Sequence, residues 1–121
     1  MSHQPAGDEL KLLTGQLRRF AAERDWEQFH SPKNLASALI VEAAELLEHF
    51  QWLSESQSAA LPPAQRDAVA LEMADVLLYL LRLADRLDID LLAAARAKIA
   101  LNAAKYPVDK ARGRADKYTD L

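Results

Sequence analysis

The sequence predicts an all-α protein, a four-helix bundle-like protomer, and three observations carry the prediction. Its 121 residues include 23 Ala and 21 Leu against nine Val, Ile and Thr together, a bias towards residues that favour helix over strand. Four long segments space their apolar residues three and four apart, as one face of a helix requires. Between Gly15 and Gly113 there is no glycine, so neither a P-loop nor a dinucleotide-binding glycine turn is present.

The elements follow in order. Residues 1–7 read as a frayed start, after which Leu10, Leu13, Leu17 and Phe20 recur at helical spacing up to about Trp26. Ser31 before Pro32 resembles an N-cap with proline at the first helical position, opening a second helix that runs to about Leu53. The polar stretch SESQSAALPP, residues 54–63, is a connection. Pro63 opens a third and most apolar helix to about Leu87. Asp88 caps a fourth through Leu91, Leu92, Ala95, Ile99 and Asn102, which ends near Tyr106 because Pro107 cannot continue it. Residues 108–121 read as a flexible charged tail. No repeat or low-complexity tract interrupts the chain, and its length fits a single domain over residues 1–121.

Composition excludes several classes of function. A formal net charge of −3 gives no electrostatic reason to expect a nucleic-acid polymer or an anionic membrane as partner. With no cysteine there are no disulfides, thiolate metal sites or Cys nucleophiles, which fits a reducing, cytoplasmic setting. The longest wholly apolar run, Val76 to Leu81, is far short of a membrane span, and the first residues carry no basic-then-apolar leader.

Acids interrupt the apolar faces. On the second helix, Leu35, Leu39, Glu42, Leu46 and His49 share a stripe, with Glu45 beside Glu42. On the third, Glu72, Asp75, Val76, Tyr79 and Leu83 do the same. Were the two acid pairs to face each other, like charges about 5 Å apart at an effective dielectric near 20 would repel by roughly 3 kcal/mol per pair. Several such pairs rival the roughly 5–15 kcal/mol that holds a domain together, so protons or a cation must compensate. An all-oxygen set suits a hard cation, Mg²⁺ first and Mn²⁺ as a substitute, better than Zn²⁺ or copper. The competing reading pairs these acids with Arg66, Arg82 or Arg86 on exposed helix edges.

The fourth helix carries complementary chemistry. Lys98, Asn102 and Lys105 share a face, with Tyr106 beside them. These groups can grip phosphate oxygens, although a solvated last turn with dipole-favoured lysines is the plainer reading of them taken alone. Trp26, with Phe29 and His30 in RDWEQFH, and Trp52 fall close in sequence to the acid-bearing helix. Their flat faces can stack a nucleobase or serve as core. His30 and His49 read as hydrogen-bonded structural residues.

Taken together, RDWEQFHSPKNLASALIVEAAELLEHFQW, LEMADVLLYLLRLADRLDIDL and KIALNAAKYPVDKARGRADKYTDL resemble the MazG-like all-α nucleoside triphosphate pyrophosphohydrolases, in the dCTP pyrophosphatase branch. The similarity covers about residues 17–121. Its motif, E-x-x-E then E-x-x-D, falls on Glu42, Glu45, Glu72 and Asp75, and N-x-x-[KR]-Y-P falls on Asn102, Lys105, Tyr106 and Pro107. The resemblance implies hydrolysis of a nucleoside triphosphate to monophosphate and pyrophosphate, with Mg²⁺ on the four acids and Glu45 as first candidate to activate water. It further implies that Trp26 and Trp52 line the base pocket, that Tyr79 supports sugar or base, and that Lys98, Asn102, Lys105 and Tyr106 meet phosphates. A homotetramer built as a dimer of dimers is implied as well. One departure is Leu17, which stands where dCTP-directed relatives carry a pocket histidine.

Two other functions compete. A di-iron carboxylate bundle expects Glu-x-x-His pairs, and none of the four acids is followed by His at that spacing. A non-enzymatic helical interaction module would explain the alanine-rich faces but not the inward acids.

Overall fold

The computed structural model describes residues 6–121, all of their regular structure helical. Helix α1 spans Ala6–Glu23, with Asp8 and Glu9 in a first turn where the helix dipole favours acids. Of the expected frayed start, residues 1–5 lie outside the described residues, while residues 6 and 7 already belong to α1. The helix stops short of Trp26 because Asp25 adopts a left-handed φ of 55°, a conformation that Asp tolerates better than most residues. A 3-10 turn over Glu27–Phe29 follows.

Ser31, in extended conformation, then accepts from the Asn34 N–H at 3.2 Å and, with Pro32 at the first position, opens α2 (Pro32–Glu48) as its sequence signature requires. α2 ends five residues before the expected Leu53. Beyond Glu48 the chain tightens into turns, Phe50 N–H and Gln51 N–H both donating to Leu47 O at 2.9 Å, and a capping box of Ser54 with Gln57 then starts the short α3 (Glu55–Ser58) inside what the sequence reads as plain connection. Pro63 opens α4 (Pro63–Arg86), as expected.

α4 packs against α2 along much of its length and against α1. On these helices Ala21, Leu35, Val69, Leu81 and Ala84 are buried. Among the described residues many large apolar side chains are nonetheless open, including Trp52 (87% exposed), Leu71 (72%) and Ile40 (67%). No described helix is long and apolar enough to cross a membrane.

The chain divides into two compact units, the first extending to Asp88 and the second spanning Ile89–Leu121. In the second, α5 (Leu91–Lys105) is capped by Asp90, whose side chain accepts from the Ala93 N–H at 3.0 Å. The expected cap, Asp88, is instead left-handed with φ of 54°, unsuited to the extended backbone an N-cap needs. α5 stops before Tyr106 and Pro107, as proline dictates. Residues 108–121, read from sequence as a charged tail, carry α6 (Val108–Ala111) and a 3-10 turn at Tyr118–Asp120. The Tyr118 ring is met edge-on by Tyr106, with centroids 6.1 Å apart, and Lys105 Nζ lies 4.9 Å from its centre.

Candidate active site

The packing of α4 on α2 brings acids together. Glu42 and Glu45 lie one turn apart on α2, Glu72 lies on α4, and one carboxylate oxygen from each falls within 4.8 Å of the other two. Glu45 is exposed, whereas Glu42 Oε2 and Glu72 Oε1 are buried without a hydrogen-bond partner. Among the described residues no ion pair reaches the three, and Arg82 pairs with Asp85 instead. The arginine pairing that the competing reading expects is therefore absent among the described residues, although Glu45 and Asp75 are exposed as that reading has them.

Crowding raises proton affinity. Glu72 is pushed up to about 7, chiefly by the hydrogen-bonding approach of Glu45, then by burial and by the charges of Glu42 and Glu45. Glu42 is also raised, by burial first and then by Glu45, with the charge of Asp75 adding to the effect. Two buried, unpartnered carboxylate oxygens in an all-oxygen cluster are the donor set that a hard divalent cation takes up. Asp75, the fourth acid expected there, is exposed one turn along α4 and lines the neighbouring pocket.

That pocket has a volume of about 380 Å³ and is walled by α1, α4 and the 3-10 turn region. Leu17, Phe20, Trp26, His30, Tyr79 and Arg82 contribute to it. Trp26 meets the Phe20 ring edge-on at 5.6 Å and the His30 ring at 6.2 Å, which fixes its plane while leaving the indole 43% exposed. Of the two tryptophans expected to line a base pocket, the first unit places only Trp26 there, and Trp52 stands open to solvent. Leu17 puts an apolar side chain on the α1 wall where a histidine would add a polar group, and Gln16 of the same helix also lines the pocket.

A polar network on this wall was not foreseen. Arg82, 4% exposed, donates from Nε to His30 Nδ1 at 3.2 Å and from Nη1 to Asp85 Oδ2 at 3.1 Å. Arg18 of α1 grips the same carboxylate through Nη2 at 2.6 Å and Nε at 3.1 Å. The Arg18 guanidinium accordingly holds Asp85 below the usual carboxylate range. Sequence spacing signals the Arg82–Asp85 pair, which sits at i, i+3. Nothing in the spacing indicates that His30, fifty-two residues earlier, completes it.

The remaining expected residues, Lys98, Asn102, Lys105 and Tyr106, lie on α5 and its C-cap in the second unit, all exposed. Lys105 and Tyr106 are both ordered against Tyr118.

Comparison with known proteins adds an independent finding. Residues 38–121 match the model of the MazG-like family. The chain is 47% identical to mouse dCTP pyrophosphatase 1 and 42% identical to the human protein of that name, in each case over 99% of this chain and 70% of the relative. A crystal structure of a pyrophosphatase from Archaeoglobus fulgidus superimposes with a TM-score of 0.79 at 38% identity, covering 88% of this chain and 98% of that one.

Proposed function

Since the chain belongs to the MazG-like family, we infer that it is a nucleoside triphosphate pyrophosphohydrolase that converts dCTP, or a modified dCTP, to the monophosphate and pyrophosphate. Its role is then control or sanitisation of the nucleotide pool. The observation that carries this reading is the juxtaposition on α4 of the acid cluster and an aromatic-lined pocket of base-accommodating size, with Asp75 one turn from Glu72 lining the latter.

The division of labour follows from the residues. Glu42, Glu45 and Glu72, joined by Asp75, would hold Mg²⁺, for which Mn²⁺ could substitute. The cation, when bound, supplies charge neutralisation for phosphate oxygens and lowers the pKa of water. Glu45 is the candidate to orient the attacking water and take its proton, a role supported by its exposure beside the two less exposed acids. Trp26 offers its exposed face to the base, and Tyr79 supports base or sugar from α4. For Lys98, Asn102, Lys105 and Tyr106 of the second unit, a phosphate-gripping role rests on their chemistry, a cation, an amide, a cation and a phenol.

The chain also assembles into a homotetramer, a dimer of dimers. Support comes from Trp52, Leu71 and Ile40, whose exposure leaves apolar surface that a monomer gains nothing by displaying.

The test is incubation with a panel of deoxy- and ribonucleoside triphosphates in Mg²⁺ or EDTA, with pyrophosphate separated from orthophosphate. Metal-dependent monophosphate plus pyrophosphate, fastest from dCTP or a modified dCTP, is expected. Orthophosphate release, or no release from any nucleotide, would sink the reading.

A further inference from the structure

Two polar residues of the pocket lining, His30 and Arg82, are tied to each other and, behind the lining, to Asp85 and Arg18 in an order that fixes their hydrogen-bonding roles. A guanidinium donates and never accepts, so the 3.2 Å contact from Arg82 Nε makes His30 Nδ1 an acceptor that carries no proton. The ring proton must then sit on Nε2. Arg82 is itself immobilised, being 4% exposed and clamped through Nη1 to Asp85, which Arg18 holds from the opposite helix with two further bonds. Its Nη2 is buried with no protein partner, in a residue that lines the pocket.

The other polar lining groups offer no fixed donor. Gln16 and Tyr79 can each donate or accept and an ionised Asp75 only accepts, whereas the groups that His30 and Arg82 have left over from this network, Nε2–H and Nη2, only donate. With Leu17 apolar, the α1 wall supplies no competing histidine. We propose that Arg82 is a positioning residue of the pocket: braced by Asp85 and Arg18, it holds His30 as the neutral imidazole protonated on Nε2, so that this wall selects a nucleobase with a hydrogen-bond acceptor on the facing edge. In cytosine the acceptors are O2 and N3. The inference rests on the reading above that the pocket receives the base.

The surroundings agree with a ring kept neutral. Burial, then the charges of Arg82 and Arg86 on α4, hold His30 below its ordinary value, and Glu27 of the 3-10 turn opposes them. Asp75 and Asp85 are the remaining charged groups, the first on the pocket lining and the second already taken up by two arginines.

The experiment compares dCTP with 3-deaza-dCTP, which replaces N3 by C–H, and with 2-thio-dCTP, which weakens the acceptor at position 2. Wild type, Arg82→Met and His30→Phe are assayed for KM and kcat on each. In wild type one analogue loses about 3- to 10-fold against dCTP, borne by KM more than kcat, the size of one neutral hydrogen bond. In both variants that penalty disappears even though dCTP itself is bound less well. A long-range proton–nitrogen correlation spectrum of the wild type shows the His30 proton on Nε2, and Arg82→Met yields a mixture of ring forms.

An analogue penalty of equal size in wild type and His30→Phe overturns the proposal, as does a wild-type ring protonated on Nδ1 or the absence of any penalty. Should Arg82→Met fail to fold, His30→Phe and the wild-type spectrum still decide. If the wild type hydrolyses no nucleoside triphosphate, the enzymatic reading fails, and the spectrum reports separately on whether the clamp exists.

Discussion

Cation binding to the acid cluster is expected to compete with a proton, and the raised Glu72 sets the scale. The carboxyl is held near 7 by Glu45, burial and Glu42, so at neutral pH about half the metal-free molecules carry a proton there. A divalent ion needs the carboxylate. The apparent dissociation constant for Mn²⁺ or Mg²⁺ should therefore be about tenfold weaker at pH 6 than at pH 8, with roughly half a proton released per ion at pH 7. Calorimetric titration in buffers of different ionisation enthalpy measures both quantities. An affinity unchanged between pH 6 and 8, with no proton release, would refute the crowded-acid reasoning.

Stability gives the same group a second signature. Glu72 is raised from 4.5 to about 7, so between those values the folded state binds more protons than the unfolded. Its contribution to stability is complete below 4.5 and is lost as pH rises through 7. In EDTA the melting temperature should fall over this range, and saturating Mn²⁺ should restore it. His30 works in the opposite sense, because its value is lowered and its contribution grows as pH approaches 6.5. The difference between wild type and Glu72→Gln isolates the carboxyl. The variant should be flatter with pH and should gain little from the metal, and a slope identical to wild type would show that Glu72 does not titrate in this window.

Glu45→Gln should abolish turnover while nucleotide binding, followed by calorimetry, persists, and turnover near wild type would remove Glu45 from the chemistry. Trp26→Ala should raise KM for dCTP about tenfold, the lower part of the range for a stacked base, and an unchanged KM would show that the indole does not meet the substrate. Leu35 is fully buried at the foot of α2, so Leu35→Ala should cost about 3 kcal/mol in urea denaturation. A loss below about 1 kcal/mol would mean that the side chain is not enclosed by neighbours that fail to collapse.

What the sequence revealed and what it concealed follow from the range of the interactions involved. Ser31–Pro32, Pro63 and Tyr106–Pro107 are local signals acting within one turn, and each marks a helix end where the structure has one. The helix ends that differ were decided by backbone states a sequence does not display. Asp25 and Asp88 take the left-handed conformation that glycine would have advertised, and Ser54 begins a capping box inside a stretch that reads as plain polar connection. Periodicity likewise placed Glu42, Glu45 and Glu72 on faces where a core belongs, since i, i+3 spacing is a helix property and needs no tertiary knowledge.

The pocket depends on which helix meets which, and that is where local rules lose their reach. Arg82 reads from sequence as a solvated helix charge available to the acids, yet it is among the most buried side chains of the first unit. Burial of a guanidinium is tolerable only with partners arranged around it, and here they come from three separate segments, Arg18 through Asp85, Asp85 itself and His30. Such a residue is costly to keep inside unless its geometry serves something beyond packing, because an apolar side chain of similar size would fill the space without an unpartnered Nη2. The exception to local legibility therefore falls on the wall of the pocket, at the pair of residues to which the proposal above assigns the reading of the base.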